Sequence, residues 1–310
     1  MAARQIERTD SRRFHPFGRR GWTARLGFLI VGAAVFAGCH EPRQMPVTPP
    51  PVAEKPAALP PPPVPRPAVK PIPPPVLKKQ AIVQAIHLGD SVRGEPLILY
   101  VIGSGPTVLI FGGIHGNESG SAEVAMALID YLSLNPDLCR DRSVAVITSA
   151  NPDGLADGTR TNAHRVDLNR NFPAGNWKRI QNASYTAGAS PASEPETKAI
   201  MAAVNRLQPQ LIVALHCALP GHQCNNYDGP AVSIARLMSS ANGYPVKASM
   251  GYPTPGSFGT WAGIERRIPT ITLEMPGAFS GEQCWDQNRQ ALLLAIKQVR
   301  SDRKSPIMAQ

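Results

Sequence analysis

Two residues that can bind a metal ion, His115 and Glu118, stand three positions apart in the stretch FGGIHGNESG. They follow an apolar run at 107–111 and precede a helix-like run at 119–134. An imidazole and a carboxylate at this spacing can point into one cavity and share a divalent ion. The same pair is compatible with a surface turn whose polar groups face water, so the rest of the chain has to decide.

Two further polar residues end apolar runs, His216 in LIVALH and Glu274 in IPTITLE. Two histidines and one carboxylate are a common ligand set for catalytic zinc, with a fourth position left for water. His115, Glu118 and His216 supply that set. Glu274 is then the candidate for the general base that takes a proton from the water and passes it to the departing amine. A glutamate at a strand end is often only solvated, but this one stands between apolar residues in TLEMPG.

The stretch GTRTNAHRVDLNRNFP, residues 158–173, is polar and has no regular apolar period. A basic surface loop is one interpretation. In the other, Asn169 and Arg170 form a fork that binds a substrate carboxylate through paired hydrogen bonds. Arg160 would then stabilise the oxyanion of a tetrahedral intermediate.

From about residue 80 onward, strand-like and helix-like runs alternate. Apolar strand-like runs occupy 97–102, 107–111, 144–149, 211–215 and 269–273, and helix-like runs occupy 119–134, 193–207, 231–242 and 282–300. This alternation predicts an α/β fold with a mostly parallel central sheet flanked by helices. Ser193 and Glu196 predict a capping box at the start of the second helix.

The polar residues lie at the ends of the predicted strands. His115 and Glu118 follow one strand, NPDG at 151–154 follows the next, and His216 and Glu274 end two more. Open α/β sheets bind ligands at the carboxyl ends of their strands. We therefore expect four strands to deliver polar residues to one rim.

The order of these motifs resembles that of the zinc carboxypeptidase family. The resemblance covers roughly residues 85 to 300 and is carried by HGNE, NPDG, RTN with VDLNRNFP, the strand-end histidine and TLE. It implies an α/β sheet sandwiched by helices, with one zinc ion bound by His115, Glu118 and His216. It also implies that Glu274 is the base.

The same resemblance assigns roles to the substrate side of the site. It implies that Arg160 and Arg170, with Asn169, hold the scissile carbonyl and the terminal carboxylate. Tyr252 lies in the loop where such enzymes carry a mobile tyrosine over the substrate, although the prolines beside it, Pro253 and Pro255, would stiffen that loop.

Within the family, the stretches SEPET, YDGPA, YPTPGSFG and IPTITLEMPG are similar to those of amidases that cut peptidoglycan peptides. This implies zinc-dependent hydrolysis of the amide bond between γ-D-glutamate and diaminopimelate. One alternative is a general metallocarboxypeptidase. Another is an N-acyl amino acid deacylase of the succinylglutamate desuccinylase or aspartoacylase type, which shares HGNE and DLNR. A non-catalytic wall-binding protein is a third, but the complete set of ligands, base and arginines counts against it.

Residues 1–39 predict an export signal of lipoprotein type. Seven arginines lie in residues 1–25, the apolar run LGFLIVGAAVFAG follows, and FAGC, which resembles a bacterial lipobox, ends at Cys39. The run is too short for a bilayer core of about 30 Å, so it indicates a cleaved signal. Lipidated Cys39 would anchor the protein in the cell envelope, facing the periplasm; an ordinary cysteine after a signal cut elsewhere is the alternative.

The remaining boundaries follow from composition. Residues 40–79 predict a disordered, extended linker, because 16 of the 33 prolines lie between positions 42 and 76. The catalytic domain is expected at 80–302 and a flexible tail at 303–310.

Charge and cysteine content bound the partners. The net charge is +10, and without the leader it is about +5, which suits an anionic wall polymer. No basic cluster with interleaved aromatics remains, so nucleic acid is not an expected partner; a peptide or peptidoglycan stem is, together with a membrane through Cys39. Cys139, Cys217, Cys224 and Cys284 permit one or two disulfides of open pairing in an oxidising compartment.

Overall fold

The structure is a computed structural model that describes residues 81–248 and 250–300. Within those residues one sheet contains the strands β1 (Val83–Asp90), β2 (Pro96–Gly103), β3 (Thr107–Phe111), β4 (Ser143–Ile147), β5 (Leu211–Ala218), β6 (Cys224–Asp228), β7 (Val246–Lys247) and β8 (Thr270–Pro276). Their order is β1-β2-β4-β3-β5-β8-β6-β7, and four of the seven neighbouring pairs are parallel. The predicted α/β fold with a mostly parallel sheet is confirmed.

Helices cover both faces of this sheet. They are α1 (Ser119–Leu134), α2 (Pro152–Asp157), α3 (Pro195–Leu207), α4 (Val232–Asn242) and α5 (Gly281–Lys297), with a π-helix at Gly259–Glu265. Because successive side chains of a strand point to opposite faces, the buried strand β3 feeds two cores. Its Ile110 packs with residues of α1, α4 and α5, whereas Leu109 and Phe111 pack with residues of α3 and the π-helix.

The five predicted strands and four predicted helices are all present, with bounds that differ by at most three residues. The strands β1, β6 and β7 were not predicted. Strand β6 reads Cys-Asn-Asn-Tyr-Asp, and its Asn226 and Asp228 line a cleft instead of the core. Because these side chains face the cleft, β6 lacks the apolar pattern on which strand prediction depends.

The predicted capping box at Ser193 and Glu196 is wrong. Helix α3 starts after Glu194, and no side chain caps it. Ser193 Oγ donates to Glu194 Oε1 at 2.6 Å, and buried Glu196 accepts the N–H of Val92 at 3.1 Å. The contact between Glu196 and Val92 ties α3 to the β1–β2 turn, so for Glu196 a tertiary partner has replaced the local one.

The predicted signal at 1–39, the linker at 40–79 and the tail at 303–310 lie outside the described residues and stay predictions. Within the described part of the chain, no helix is long and apolar enough to cross a membrane.

Candidate active site

His115, Glu118 and His216 meet at the carboxyl ends of β3 and β5. One ligand atom from each lies within 4.8 Å of the other two. Glu118 sits between the histidines, with its Oε1 2.8 Å from His115 Nδ1 and its Oε2 3.1 Å from His216 Nδ1. All three residues are buried and line one cleft. Two imidazoles and one carboxylate that converge in this way fit one zinc ion.

Close backbone contacts hold the turn that carries His115 and Glu118. Gly116 packs on the backbone of Gly154, so any side chain at position 116 would overlap that carbonyl group. Ser121 Oγ accepts the N–H of Gly113 at 2.9 Å and donates to the carbonyl oxygen of Glu118 at 2.7 Å. The glycine of HGNE is therefore required by packing.

The NPDG stretch supports the site but does not line the cleft, which corrects the expectation that four strands deliver polar residues to it. Asn151 caps α2 by accepting the N–H of Gly154 at 2.9 Å. Asp153 accepts hydrogen bonds from Ser91 Oγ at 2.8 Å and from the N–H of Arg93 at 3.1 Å. Asp153 thus joins the segment after β4 to the β1–β2 turn, while Asn151 caps its own helix, so both polar groups are used for structure.

Opposite charges dominate the electrostatics of the ligand group. Burial alone would raise the pKa of Glu118, but His115 and His216 hold it well below its usual range. Burial alone would lower the pKa of His115, but Glu118 and Asp167 raise it to about 9. A metal ligand must be deprotonated, so zinc binding has to release this proton. Zinc affinity should therefore decrease as the pH is lowered.

Asp167, which the sequence analysis passed over, orients the first histidine. It is fully buried, and its Oδ1 lies 3.2 Å from His115 Nε2. Its Oδ2 accepts a hydrogen bond from Arg160 Nε at 2.9 Å. Burial favours the neutral acid, yet His115 and Arg160 hold the pKa of Asp167 well below its usual range. A metal-binding histidine commonly donates its second ring N–H to a carboxylate, and the aspartate in VDLNRN was the available signal.

We expect Asp167→Asn to weaken zinc binding by about 10- to 100-fold. The Asp167 carboxylate orients the His115 ring and raises the basicity of its imidazole, and the variant removes that negative charge. The measurement is zinc affinity by competition with a chromophoric chelator, with thermal unfolding to establish that the variant is folded. Asp130→Asn, an exposed position on α1, is the matched control. Wild-type zinc affinity in a folded Asp167→Asn protein would contradict the assignment.

Glu274 lies beside the ligand group on the neighbouring strand. It pairs in register with His216 across β5 and β8, is buried, and lines the same cleft. Burial raises the pKa of Glu274, with Glu118 adding to the rise. In the described residues its carboxylate has no hydrogen-bond or ion-pair partner. A buried carboxylate left free in this way is available for proton transfer.

The residues expected to bind substrate all line the cleft, which has a volume of about 650 Å³. Arg160 Nη1 lies 3.6 Å from Glu118 Oε1, beside the ligand group. Arg170 donates to the carbonyl oxygen of Asn169 at 2.7 Å. The Oδ1 of Asn169 accepts a hydrogen bond from the N–H of Phe258 at 2.9 Å. The side-chain NH2 group of Asn169 therefore points away from Phe258. Tyr252 stands at the rim, 54% exposed.

Asp228 on β6 lines the same cleft, and the sequence analysis did not single it out. Burial raises the pKa of Asp228 to about 6, and no other group contributes to the shift. In the described residues the carboxylate has no hydrogen-bond or ion-pair partner. Because β6 has no apolar pattern, the only sequence signal for Asp228 was its position in the YDGPA stretch.

We expect Asp228→Asn to stabilise the protein at neutral pH and to have little effect near pH 4. The folded pKa, about 6, lies above the ordinary value of 3.8. Between these values the folded state keeps a proton that the unfolded state has released, so this group lowers stability as pH rises through the interval. The full difference, reached above the folded pKa, is at most about 3 kcal/mol. Urea unfolding of both proteins at several pH values measures it, and a difference that does not grow with pH would contradict the prediction.

The four cysteines of the described residues, Cys139, Cys217, Cys224 and Cys284, hold free thiols. Burial raises the pKa of Cys139 and Cys224 to about 11. Cys217, next to His216, supports the site through its backbone N–H, which donates to Glu118 Oε2 at 2.9 Å.

On an α/β sheet, a zinc ligand set beside a free buried carboxylate is typical of metal-dependent hydrolases. The family model described as zinc carboxypeptidase matches residues 76–219. Murein peptide amidase A of Escherichia coli (strain K12) is 36% identical over 210 residues, which cover 63% of this chain and 83% of that protein.

Solved structures agree with these matches. The crystal structure of murein-tripeptide amidase MpaA from Escherichia coli O157 is similar with a TM-score of 0.59 and 33% identity, covering 68% of this chain and 91% of that one. Thrombin activatable fibrinolysis inhibitor has a TM-score of 0.61 at 18% identity over 73% of this chain and 70% of that one, which shows the fold alone. The chain belongs to the zinc carboxypeptidase family and is a hydrolase with a site for one zinc ion. The resemblance inferred from its motifs is confirmed.

Proposed function

We propose that the protein hydrolyses an amide bond in peptidoglycan peptides, and that the bond joins γ-D-glutamate to diaminopimelate. The observation that carries this proposal is the single cleft in which the zinc ligand group and free Glu274 face Arg160, Asn169 and Arg170. An amide bond next to a free carboxylate would place its carbonyl group at the ligands and its carboxylate at the arginines.

When bound, the zinc ion supplies Lewis-acid polarisation and lowers the pKa of its water. Glu274 takes the proton of the attacking water and then donates it to the departing amine. Arg160, held by Asp167 through its Nε, donates its remaining N–H groups to the oxygen that gains charge.

Arg170 and the amide group of Asn169 bind the carboxylate beside the leaving amine and so orient the substrate. Tyr252 covers the substrate from the rim. Diaminopimelate offers the required carboxylate on the carbon that carries the scissile nitrogen. The similarity to two murein peptide amidases supports a wall peptide as the substrate.

We further propose that this activity takes place in the cell envelope. The export signal and lipidated Cys39 would hold the protein at a membrane, and the proline-rich linker at 40–79 would hold the catalytic domain away from it. Wall stems or released wall peptides would be within reach there.

The test uses the full chain loaded with zinc. It is incubated with L-Ala-γ-D-Glu-meso-diaminopimelate, with an ordinary L-peptide and with N-acyl amino acids, and the products are followed by mass spectrometry. Release of diaminopimelate supports the proposal. Cleavage of the L-peptide alone would replace it with a general carboxypeptidase, and cleavage of N-acyl amino acids alone would replace it with a deacylase. Zinc binding without any turnover would indicate a non-catalytic wall-binding protein.

A further inference from the structure

Two thiols, those of Cys217 and Cys284, lie close together in the core formed with α1, α4 and α5. Cys284, on α5, is fully buried, and the side chain of Cys217, near the end of β5, packs against the same hydrophobic cluster. A side chain at Gly120 would lie 3.4 Å from Cys217 Sγ and 4.0 Å from Cys284 Sγ. Both sulfurs therefore adjoin the same small space, in the first turn of α1.

Two further observations place the thiols together. Cys284 Sγ donates to the carbonyl oxygen of Pro276 at 3.7 Å, and a side chain at Gly277, the next residue, would lie 3.8 Å from Cys217 Cβ. Burial raises the pKa of Tyr244 to about 12, and both thiols add to the rise. A charge on either sulfur therefore acts on the same hydroxyl group.

Cys224 lies on the other face of the sheet. It pairs with Glu274 across β6 and β8, and Glu274 pairs with His216 across β8 and β5. Side chains that pair directly project from the same face of a sheet, and successive side chains of a strand project from opposite faces. Cys224 therefore shares the face of His216, whereas Cys217 projects from the opposite face. The sheet separates these two thiols.

Cys139 lies at the opposite edge of the sheet. It follows α1, and a side chain at Gly103 would overlap its Cβ. Gly103 ends β2 and pairs with Ser143 at the start of β4, so Cys139 lies at the amino ends of the parallel strands, whereas Cys217 lies at a carboxyl end. Among the four cysteines that the structure describes, the fold therefore allows one pairing, Cys217 with Cys284.

We propose that Cys217 and Cys284 form a disulfide that clamps the end of β5 to α5. This inference goes beyond the proposed function, and it applies in an oxidising compartment such as the cell envelope. The N–H of Cys217 donates to the ligand Glu118 at 2.9 Å. The clamp would thus fix the stretch of main chain that positions a zinc ligand.

A small disulfide such as oxidised glutathione supplies the oxidant. The thiolate of Cys217, which is partly exposed, attacks one sulfur of the oxidant, forms a mixed disulfide and releases one glutathione thiol. The thiolate of Cys284 then attacks the Cys217 sulfur, so that the Cys217–Cys284 bond forms and a second glutathione thiol leaves. Two protons and two electrons pass from the protein to the oxidant. Burial raises the pKa of Cys284, so this exchange is faster before the core closes than after it.

The first measurement identifies the bond. The full chain is refolded from urea with zinc, either in a glutathione redox buffer or with dithiothreitol, and free thiols are alkylated before tryptic digestion and mass spectrometry. Cys217 and Cys224 fall on one tryptic peptide, 207–236, and Cys284 falls on 268–289, so the experiment is repeated with Cys224→Ala. After oxidation only, we expect these two peptides to be cross-linked in both proteins, with Cys139 alkylated in every sample.

The absence of this cross-link, or its loss in Cys224→Ala, would overturn the proposal. If Cys224→Ala does not fold, fragmentation of the cross-linked wild-type peptide between positions 217 and 224 gives the same assignment.

The second measurement tests the clamp. A disulfide that closes a long loop stabilises the folded state mainly by restricting the unfolded chain. We expect the oxidised wild type to unfold at a urea concentration roughly 1 M higher than the reduced form. Cys284→Ala should show no such difference, whereas Cys139→Ala, at another buried cysteine, should keep it.

A cross-link without a shift in the urea midpoint would overturn the clamp. Zinc content and turnover of the wall peptide are measured on the same samples. A failure of the proposed function is therefore recorded separately from a failure to form the disulfide.

Discussion

Glu274→Gln is expected to lower kcat by about 10³-fold or more while leaving zinc binding intact. The amide of glutamine has the shape of the carboxyl group but cannot take a proton from water. Glu274 lies in register beside His216 without contacting the ligand group through a hydrogen bond, so the ligands should stay in place. The measurement is turnover of the wall peptide together with zinc content by mass spectrometry.

A matched control separates this effect from a general loss of carboxylate charge. Glu282→Gln changes an exposed glutamate in the first turn of α5 and should keep wild-type kcat. The pH profile provides a second readout, because the acidic limb of the wild-type profile should disappear from the residual activity of Glu274→Gln. Substantial activity of Glu274→Gln at one zinc per chain would assign the base to another group.

His216→Ala is expected to lose stoichiometric zinc and, with it, measurable turnover. The substitution removes one of three ligands and leaves Glu118 with one histidine contact in place of two. Zinc that binds only the folded protein stabilises it by RT ln(1 + [Zn]/Kd), about 2.7 kcal/mol at one hundred times Kd. The wild type should therefore melt at a higher temperature with zinc than after chelation, and His216→Ala should show no such difference.

Chelation of the wild type tests the same point without a substitution. Activity should vanish on chelation and return when zinc is added back. Zinc affinity should decrease as the pH is lowered, because His115 has a pKa of about 9 and must release its proton to bind the ion. His87→Ala, at an exposed histidine on β1, is the matched control. Retention of one tightly bound zinc by folded His216→Ala would show that the ligand set is misassigned.

Much of the scaffold was predictable because its elements have regular local patterns. Strand β3 at Thr107–Phe111 and helix α1 at Ser119–Leu134 have the predicted bounds, since a buried run followed by an amphipathic run leaves little choice. The ligands were predictable for a related reason, because residues at the ends of neighbouring strands in such sheets meet at one edge. The strand ends place His216 and Glu274 side by side.

The predictions failed where a polar side chain had a distant partner. Ser193 and Glu196 have the spacing of a capping box, yet Glu196 binds the N–H of Val92. The NPDG stretch looked like part of the rim, yet Asp153 binds Ser91. Local spacing predicts a local hydrogen bond, and a buried group takes whichever partner the tertiary fold brings to it.

By itself the sequence determined the α/β class, the family and the residues able to bind zinc, since all of these are written in residue types, strand ends and motif order. The partner of His115 was decided by the tertiary structure, which brings Asp167 against its second ring nitrogen. The part of the cleft that Asp228 and Lys247 line was decided in the same way. Asp228 and Lys247 lie on short strands without an apolar pattern, and they face one space only because β6 pairs with β7 and β8. Strand pairing between distant segments depends on the whole packed core, and no local pattern reports it.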